Sequence, residues 1–178
     1  MGYMSEKEAR RIRIIIIVVT LLMLGLVFWW KLPAAAAPRP DYYVPWVSDR
    51  NGKEVYLSEK DWKLLCTTVW CEAGNQSVEA QRLVAVTILN RVGSDYFPDT
   101  LKKVIYQGDG KQFNVVRWKG FPEAYDYTED TELACYLAIA TYPEEPQSML
   151  FFRSGHYFTE YEPYTKDGDM YFSLKSSY

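Results

Sequence analysis

Residues 69–92 read VWCEAGNQSVEAQRLVAVTILNRV, and the fourth of them departs from the pattern around it. Trp62, Leu65 and Val69 recur at helical spacing, and the next position on that apolar stripe, 72, carries a glutamate. Gly74 follows two positions on, so the carboxyl falls in the last turn of its helix. Burial disfavours the charged form of a carboxylate, and the partial negative charge at a helix C-terminus disfavours it too. Both effects raise the pKa. A carboxylic acid that keeps its proton near neutral pH can deliver it to a glycosidic leaving oxygen, which is the work of a general acid. The competing reading is a helix-end glutamate that is exposed or tied to a basic partner such as Arg82 or Arg91.

Other chemistries have fewer residues to draw on. Zinc hydrolases commonly take two or three histidine ligands, and this chain has one histidine, His156, in SGHYF with no cysteine or carboxylate at ligand spacing. No metal site and no cofactor are expected. A Cys–His pair would have to join His156 to Cys66, Cys71 or Cys135; the plainer reading of His156 is a surface or hydrogen-bonding residue near a strand end. Cys66 and Cys71 are five apart on one helix, which separates them by about 7.5 Å along its axis. That exceeds the ~7 Å reach of a disulfide. Any bridge therefore involves Cys135, and small buried apolar thiols are the equal alternative.

Glu72 needs elements to position it. Ser58 and Asp61 form a capping box with Asp in the Glu/Gln place, and Leu57 and Trp62 complete a hydrophobic staple, so a helix starts at Glu59 and stops at Gly74. Ser77 caps a second helix with Val84, Ala85, Ile88 and Val92 on one face, ended by Gly93. Thr100 or Asp99 starts a short third helix through Tyr106, and GDGK is a mobile turn. A further helix runs from about Asp130 to Thr141. SMLFFR (148–153) and DMYFSL (169–174) read as strands. The fold class is α+β and mainly helical, with a small C-terminal β element.

Composition bounds the setting. With 178 residues, 48% hydrophobic and 24% charged, the chain can bury one ordinary core. Residues 1–40 hold six Lys/Arg and two Asp/Glu, whereas residues 41–178 hold 14 and 21. An acidic domain is a poor ligand for polyanions, so no nucleic-acid partner is expected. Ile12 to Leu32 is a nearly unbroken apolar run whose length, about 31 Å as a helix, suits the ~30 Å hydrocarbon core of a bilayer. Lys7, Arg10 and Arg11 precede the run and Arg13 stands at its start, while Lys31 stands at its end and Arg39 follows it. The positive-inside rule then leaves residues 1–11 in the cytoplasm and puts the domain outside. The alternative is a signal peptide cleaved at the A-x-A-like stretch Ala34–Ala37, which would release the protein. The organisation expected is a 1–11 tail, a 12–32 transmembrane helix or signal anchor, a Pro/Ala-rich 33–54 linker and a 55–178 catalytic domain.

The run from Glu72 to Val92, EAGNQSVEAQRLVAVTILNRV, resembles the signature of the SleB/CwlJ-type cell wall hydrolases, a family that includes spore cortex-lytic enzymes. The likeness continues through Phe97-Pro98-Asp99-Thr100, Val104-Ile105-Tyr106-Gln107 and Gln112-Phe113. It implies a lysozyme-like fold, peptidoglycan as substrate, Glu72 as catalytic acid and cleavage at muramic acid, in characterised members by lytic transglycosylation. Three departures stand out. A second glutamate frequent in the family is Gln76 here, its Glu-Gly-Gln is Glu79-Ala80-Gln81, and its Gly-x-His-x-Phe falls on Gly168-Asp169-Met170-Tyr171-Phe172.

Reaction type turns on a second carboxylate. Hydrolases of either stereochemistry use a pair, and none of Glu79, Asp95, Asp99 and Glu123 is marked as the partner. A lytic transglycosylase manages with one Glu, acid and then base, because the muramic 6-hydroxyl attacks within the same molecule. The single acid favours that route. The alternatives are a two-carboxylate muramidase and a non-catalytic wall-binding or scaffolding module. For substrate contacts, Gln81 extends the core-facing stripe of the second helix, where it either bonds Glu72 or a sugar or is a satisfied buried amide. Gln112 and Phe113 follow the GDGK turn and are expected in the cleft wall, ordinary packing being their alternative. Fifteen tyrosines and six tryptophans leave room for sugar-stacking platforms. A regulatory protein partner is left unidentified by the sequence.

Overall fold

The capping signals place the helices. In the computed structural model, which describes residues 44–48 and 53–176, helix α1 spans Glu59–Ala73 and opens on the expected box. The Ser58 hydroxyl accepts from the Asp61 amide at 3.2 Å, and the Asp61 carboxylate accepts from the Ser58 amide at 3.4 Å. Helix α2 spans Val78–Gly93 behind Ser77, whose hydroxyl accepts from the Ala80 amide at 3.0 Å. Helix α3, Leu101–Ile105, is capped by Thr100, and α4, Glu129–Thr141, by Thr128. The start of α4 is one residue earlier than the sequence expectation of Asp130.

Between α1 and α2 the chain turns at Gly74. A Cβ there would lie 2.4 Å from the Trp70 carbonyl oxygen and 2.8 Å from its indole Cδ1, so only glycine lets the chain leave the helix against Trp70. This turn keeps the last turn of α1 beside the first turn of α2. That is where the site develops.

The sequence puts one apolar face on α2, but the structure buries the helix almost all round. Leu83, Val86 and Leu89 are as inaccessible as Val84, Ala85 and Ile88, and Thr87, Asn90 and Arg91 are buried with them. A helix enclosed on every side is the central element of its domain. Here α1, α3, α4 and the first strand of the C-terminal sheet all pack on it. Its buried polar groups are largely bonded: the Thr87 hydroxyl donates to the Leu83 carbonyl at 2.9 Å, and the Asn90 amide nitrogen donates to the Pro146 and Met149 carbonyls at 3.0 Å each, while the Asn90 side-chain oxygen is buried without a partner among the described residues. Each fully buried Leu, Ile or Phe of this core is worth about 1.5–3 kcal/mol of transfer free energy.

Two sheets flank the helices. Strands β1 (Val44–Ser48) and β2 (Lys53–Leu57) form an antiparallel hairpin, in a stretch read from sequence mainly as linker. The C-terminal sheet has the order β3-β5-β4, with β3 at Met149–Ser154, β4 at Glu162–Asp167 and β5 at Met170–Leu174, antiparallel throughout. Strands β3 and β5 fall where expected. Strand β4 is additional, and with it the C-terminal β element is a three-stranded sheet.

The three cysteines are free thiols. Cys66 and Cys135 are wholly buried and Cys71 half-buried; burial pushes the Cys66 thiol pKa far up and that of Cys71 to about 11. This matches the reading of small buried apolar thiols rather than a bridge. The expected tail, membrane helix and most of the linker lie outside the described residues. Among those described, no helix is long and apolar enough to cross a membrane.

Candidate active site

Glu72 sits on the stripe the sequence assigned it. Trp62 is 5% exposed, Leu65 and Val69 are fully buried, and Glu72 at the end of the row is half-buried. Its carboxyl pKa is raised, chiefly by loss of solvent, with the guanidinium of Arg91 pulling in the opposite direction. Glu72 lines a pocket of about 490 Å³ together with Arg91, Gln112 and residues of the C-terminal sheet. Another cavity, of about 500 Å³ between Asn90, Tyr96 and Lys175, has no carboxylate in its lining.

Arg91 is the buried cation of the site and 4% exposed. Its Nε donates to the Leu150 carbonyl at 2.8 Å, and Nη1 reaches the Gln112 side-chain oxygen at 3.4 Å. Its guanidinium carbon lies 5.0, 5.4 and 5.9 Å from the ring centres of Phe97, Phe113 and Phe152, within cation–π range of all three. Burial lowers the Arg91 pKa to about 10, with Glu72 and Tyr161 opposing that shift. It therefore stays charged at neutral pH. The sequence raised Arg91 only as a partner that would tie Glu72 into the structure. The geometry makes it a fixed charge that tempers, without reversing, the effect of burial on Glu72.

The sequence-derived contact residues separate. Gln112 lines the pocket. Phe113 does not: it is fully buried behind the site, packed against Phe152 with ring centres 6.2 Å apart and supporting Arg91 from below. Gln81 does not reach the pocket either. Its amide donates to the Gln76 carbonyl at 3.1 Å and its oxygen accepts from the Thr131 hydroxyl at 2.5 Å, which fastens the α1–α2 turn to α4. Of the two readings left open for Gln81, the satisfied buried amide describes its bonding. Gln76 occupies the same turn and accepts from the Asp169 amide at 3.3 Å, while the Ser77 hydroxyl donates to the Asp167 carboxylate. These bonds join the end of α1 to the β4–β5 turn.

The acidic residues considered as partners of Glu72 lie elsewhere. Glu79 pairs with Arg82 at 2.7 Å, and Arg82 also holds Glu145 at 2.6 Å and Thr141 at 2.7 Å. Asp99 pairs with Lys103 at 3.0 Å. Neither these nor the exposed Asp95 and Glu123 line the Glu72 pocket.

Sequence reasoning missed the β3–β4 loop, residues 155–161, which contributes Phe158, Glu160 and Tyr161 to the pocket. Its shape comes from aromatic packing. Tyr161 stacks face to face on Phe151 with centroids 3.7 Å apart and planes 6° apart, and Phe158 meets both rings edge-on. The Gly155 amide donates to the Asp169 carbonyl at 3.0 Å, pinning the start of the loop to the β4–β5 turn. The only sequence signal was the density of aromatics in FFRSGHYFTEY.

Comparisons with known proteins bear on the domain as a whole. A family model described as Cell Wall Hydrolase matches residues 75–173, starting three positions beyond Glu72. A spore cortex-lytic enzyme of Oceanobacillus iheyensis is 42% identical over 50 residues, which is 28% of this chain and 18% of that protein. The matched segment thus spans less than a fifth of that curated relative. Two solved structures share the fold. The catalytic domain of the germination-specific lytic transglycosylase SleB from Bacillus anthracis superimposes with a TM-score of 0.53 and 24% identity, over 69% of this chain and 98% of that one. The catalytic domain of the Bacillus cereus SleB protein gives 0.50 and 19%, over 65% and 91%. The family model runs from the α1–α2 turn to the last strand, across more than half of the sequence. The chain belongs to the cell wall hydrolase family.

Proposed function

We propose that the domain cuts peptidoglycan glycan strands at muramic acid by lytic transglycosylation, with Glu72 as acid and then base. The observation carrying this reading is a half-buried carboxyl, its pKa raised by burial, that opens onto a pocket beside a buried arginine. Glu72 gives its proton to the glycosidic oxygen as the C1–O bond breaks. Its carboxylate then takes the proton of the muramic 6-hydroxyl as that oxygen bonds to C1, so the catalyst returns to its starting state and no water is consumed. The relatives supporting this substrate are a spore cortex-lytic enzyme and a lytic transglycosylase by name. Digestion of purified peptidoglycan, from vegetative wall and from spore cortex, should release fragments with 1,6-anhydromuramic ends detectable by mass. Reducing ends labelled from oxygen-18 water would replace transglycosylation by hydrolysis. No cleavage of either substrate would leave a wall-binding module.

The apolar run 12–32 and the basic residues before it support a single-pass anchor with the domain outside the cell. Protease added to intact protoplasts should remove the domain and leave a small membrane-retained fragment. A domain protected from the protease would reverse the orientation.

A further inference from the structure

The pocket that holds Glu72 is electrically lopsided. Among its lining residues Arg91, Lys111 and Arg153 are cationic, and Glu72 holds a proton when it is ready to act as acid. Breaking the C1–O bond leaves positive charge on the sugar ring, and three cations around the cleft oppose that step. One other lining residue carries a carboxylate, Glu160. We propose that Glu160 is a second acidic residue of the reaction, which sets its negative charge against the cation forming on the cleaved sugar. This role rests on the transglycosylase reading above. It leaves the proton transfers to Glu72.

Position and bonding support the assignment. Glu160 precedes Tyr161, whose ring is stacked on Phe151, so the backbone presenting the carboxylate is held by a packed aromatic group. The acid is not tied to a cation among the described residues: it accepts from the neighbouring Thr159 hydroxyl at 3.1 Å. Glu79, Glu145 and Asp99, by contrast, are occupied by arginine or lysine. Glu160 enters from the sheet side, whereas Glu72 enters from the end of α1, so the two acids belong to different walls of the cleft.

The test uses the full-length protein, its Glu160→Gln, Glu160→Asp and Glu72→Gln variants, and defined glycan fragments. Glu160→Gln should lower kcat about 100-fold with KM nearly unchanged, because the lost interaction strengthens only as charge develops. The product should remain 1,6-anhydromuramic, and Glu160→Asp should recover part of the rate. Binding separates electrostatics from mere structure. A cationic iminosugar should bind Glu160→Gln about 10-fold more weakly, while a neutral N-acetylglucosamine oligomer binds as to the parent. A kcat within about twofold of the parent, or equal losses for both probes, would overturn the proposal. So would reducing ends in the parent that disappear in Glu160→Gln, since Glu160 would then be serving water or forming an ester. An active parent with a dead Glu72→Gln and an unaffected Glu160→Gln removes only this inference. A parent inactive on every glycan removes the transglycosylase reading and this one together.

Discussion

Glu72→Gln should lose about 10⁴-fold in kcat while becoming more resistant to unfolding at neutral pH than the parent. The two effects have one cause. The amide keeps the shape of the side chain but has no acidic proton to give, and so the leaving oxygen departs unprotonated. Stability moves the other way because burial raises the Glu72 pKa in the folded state, with Arg91 offsetting only part of that shift. A carboxyl whose pKa is raised by folding contributes stability that is full below its unfolded pKa and is lost as pH rises through the folded value. Glutamine never becomes charged and escapes that loss. Urea unfolding midpoints should therefore coincide for parent and variant in acidic buffer and separate, in the variant's favour, as the buffer becomes more alkaline. The parent's activity should fall over the same pH window as the acid form disappears. A variant that turns over at a tenth of the parental rate or better would take Glu72 out of the chemistry.

Arg91→Met should shift the alkaline edge of the activity profile to higher pH. The direction follows from charge: the Arg91 guanidinium is the group that lowers the Glu72 pKa, and removing it leaves desolvation unopposed. Methionine fills a similar volume and keeps contact with Phe97, Phe113 and Phe152, but it cannot bond the Leu150 carbonyl. That buried acceptor, left alone, should cost about 1–3 kcal/mol of stability. Arg91→Lys is the control. It keeps a cation near Glu72 and should hold the pH edge close to the parent's, while losing the planar fork that spans Leu150 and Gln112. If the edge stays in place in the methionine variant, the charge of Arg91 is not felt at Glu72, and its role is confined to packing.

The helical body is legible from sequence because its signals are local. Ser58 with Asp61, Ser77 and Thr100 each mark a helix start by a side chain that bonds an amide three residues on. Glu72 is legible for the same kind of reason, since period 3.6 alone sets it in line with Trp62, Leu65 and Val69. What depends on distant partners is not legible. Strand β4 reads EPYTKD, polar and mostly exposed, and it is a strand because β5 offers it an edge. The β1–β2 hairpin carries Asn51-Gly52 between VPWVS and KEVYL, a good turn signal, but Pro45 and the preceding Pro/Ala stretch pull the reading toward linker. Gln81 is correctly placed on a core-facing stripe, yet periodicity cannot distinguish an amide that bonds Thr131 from one that bonds a sugar. Phe113 falls directly beside Gln112, yet Gln112 lines the cleft and Phe113 lies in the core, in an irregular stretch whose sequence has no period to tell them apart. Glu160 lies in a loop without periodicity, and only the folded chain brings it to Glu72.

The contact between Gln76 and Gly168 links two distant parts of the chain in what each lets the other keep. Gly168 has φ +54°, and a Cβ there would stand 2.7 Å from the Gln76 side-chain oxygen, the same oxygen that receives the Asp169 amide. A side chain at 168 would thus sit on an unfavourable left-handed backbone and would push the Gln76 amide aside, breaking its bond to Asp169. While Gln76 keeps that bond, position 168 is held to glycine. Lineages of this domain that keep glutamine at 76 should keep glycine at 168, and a graft of the α1–α2 turn into a relative should carry its own β4–β5 turn with it.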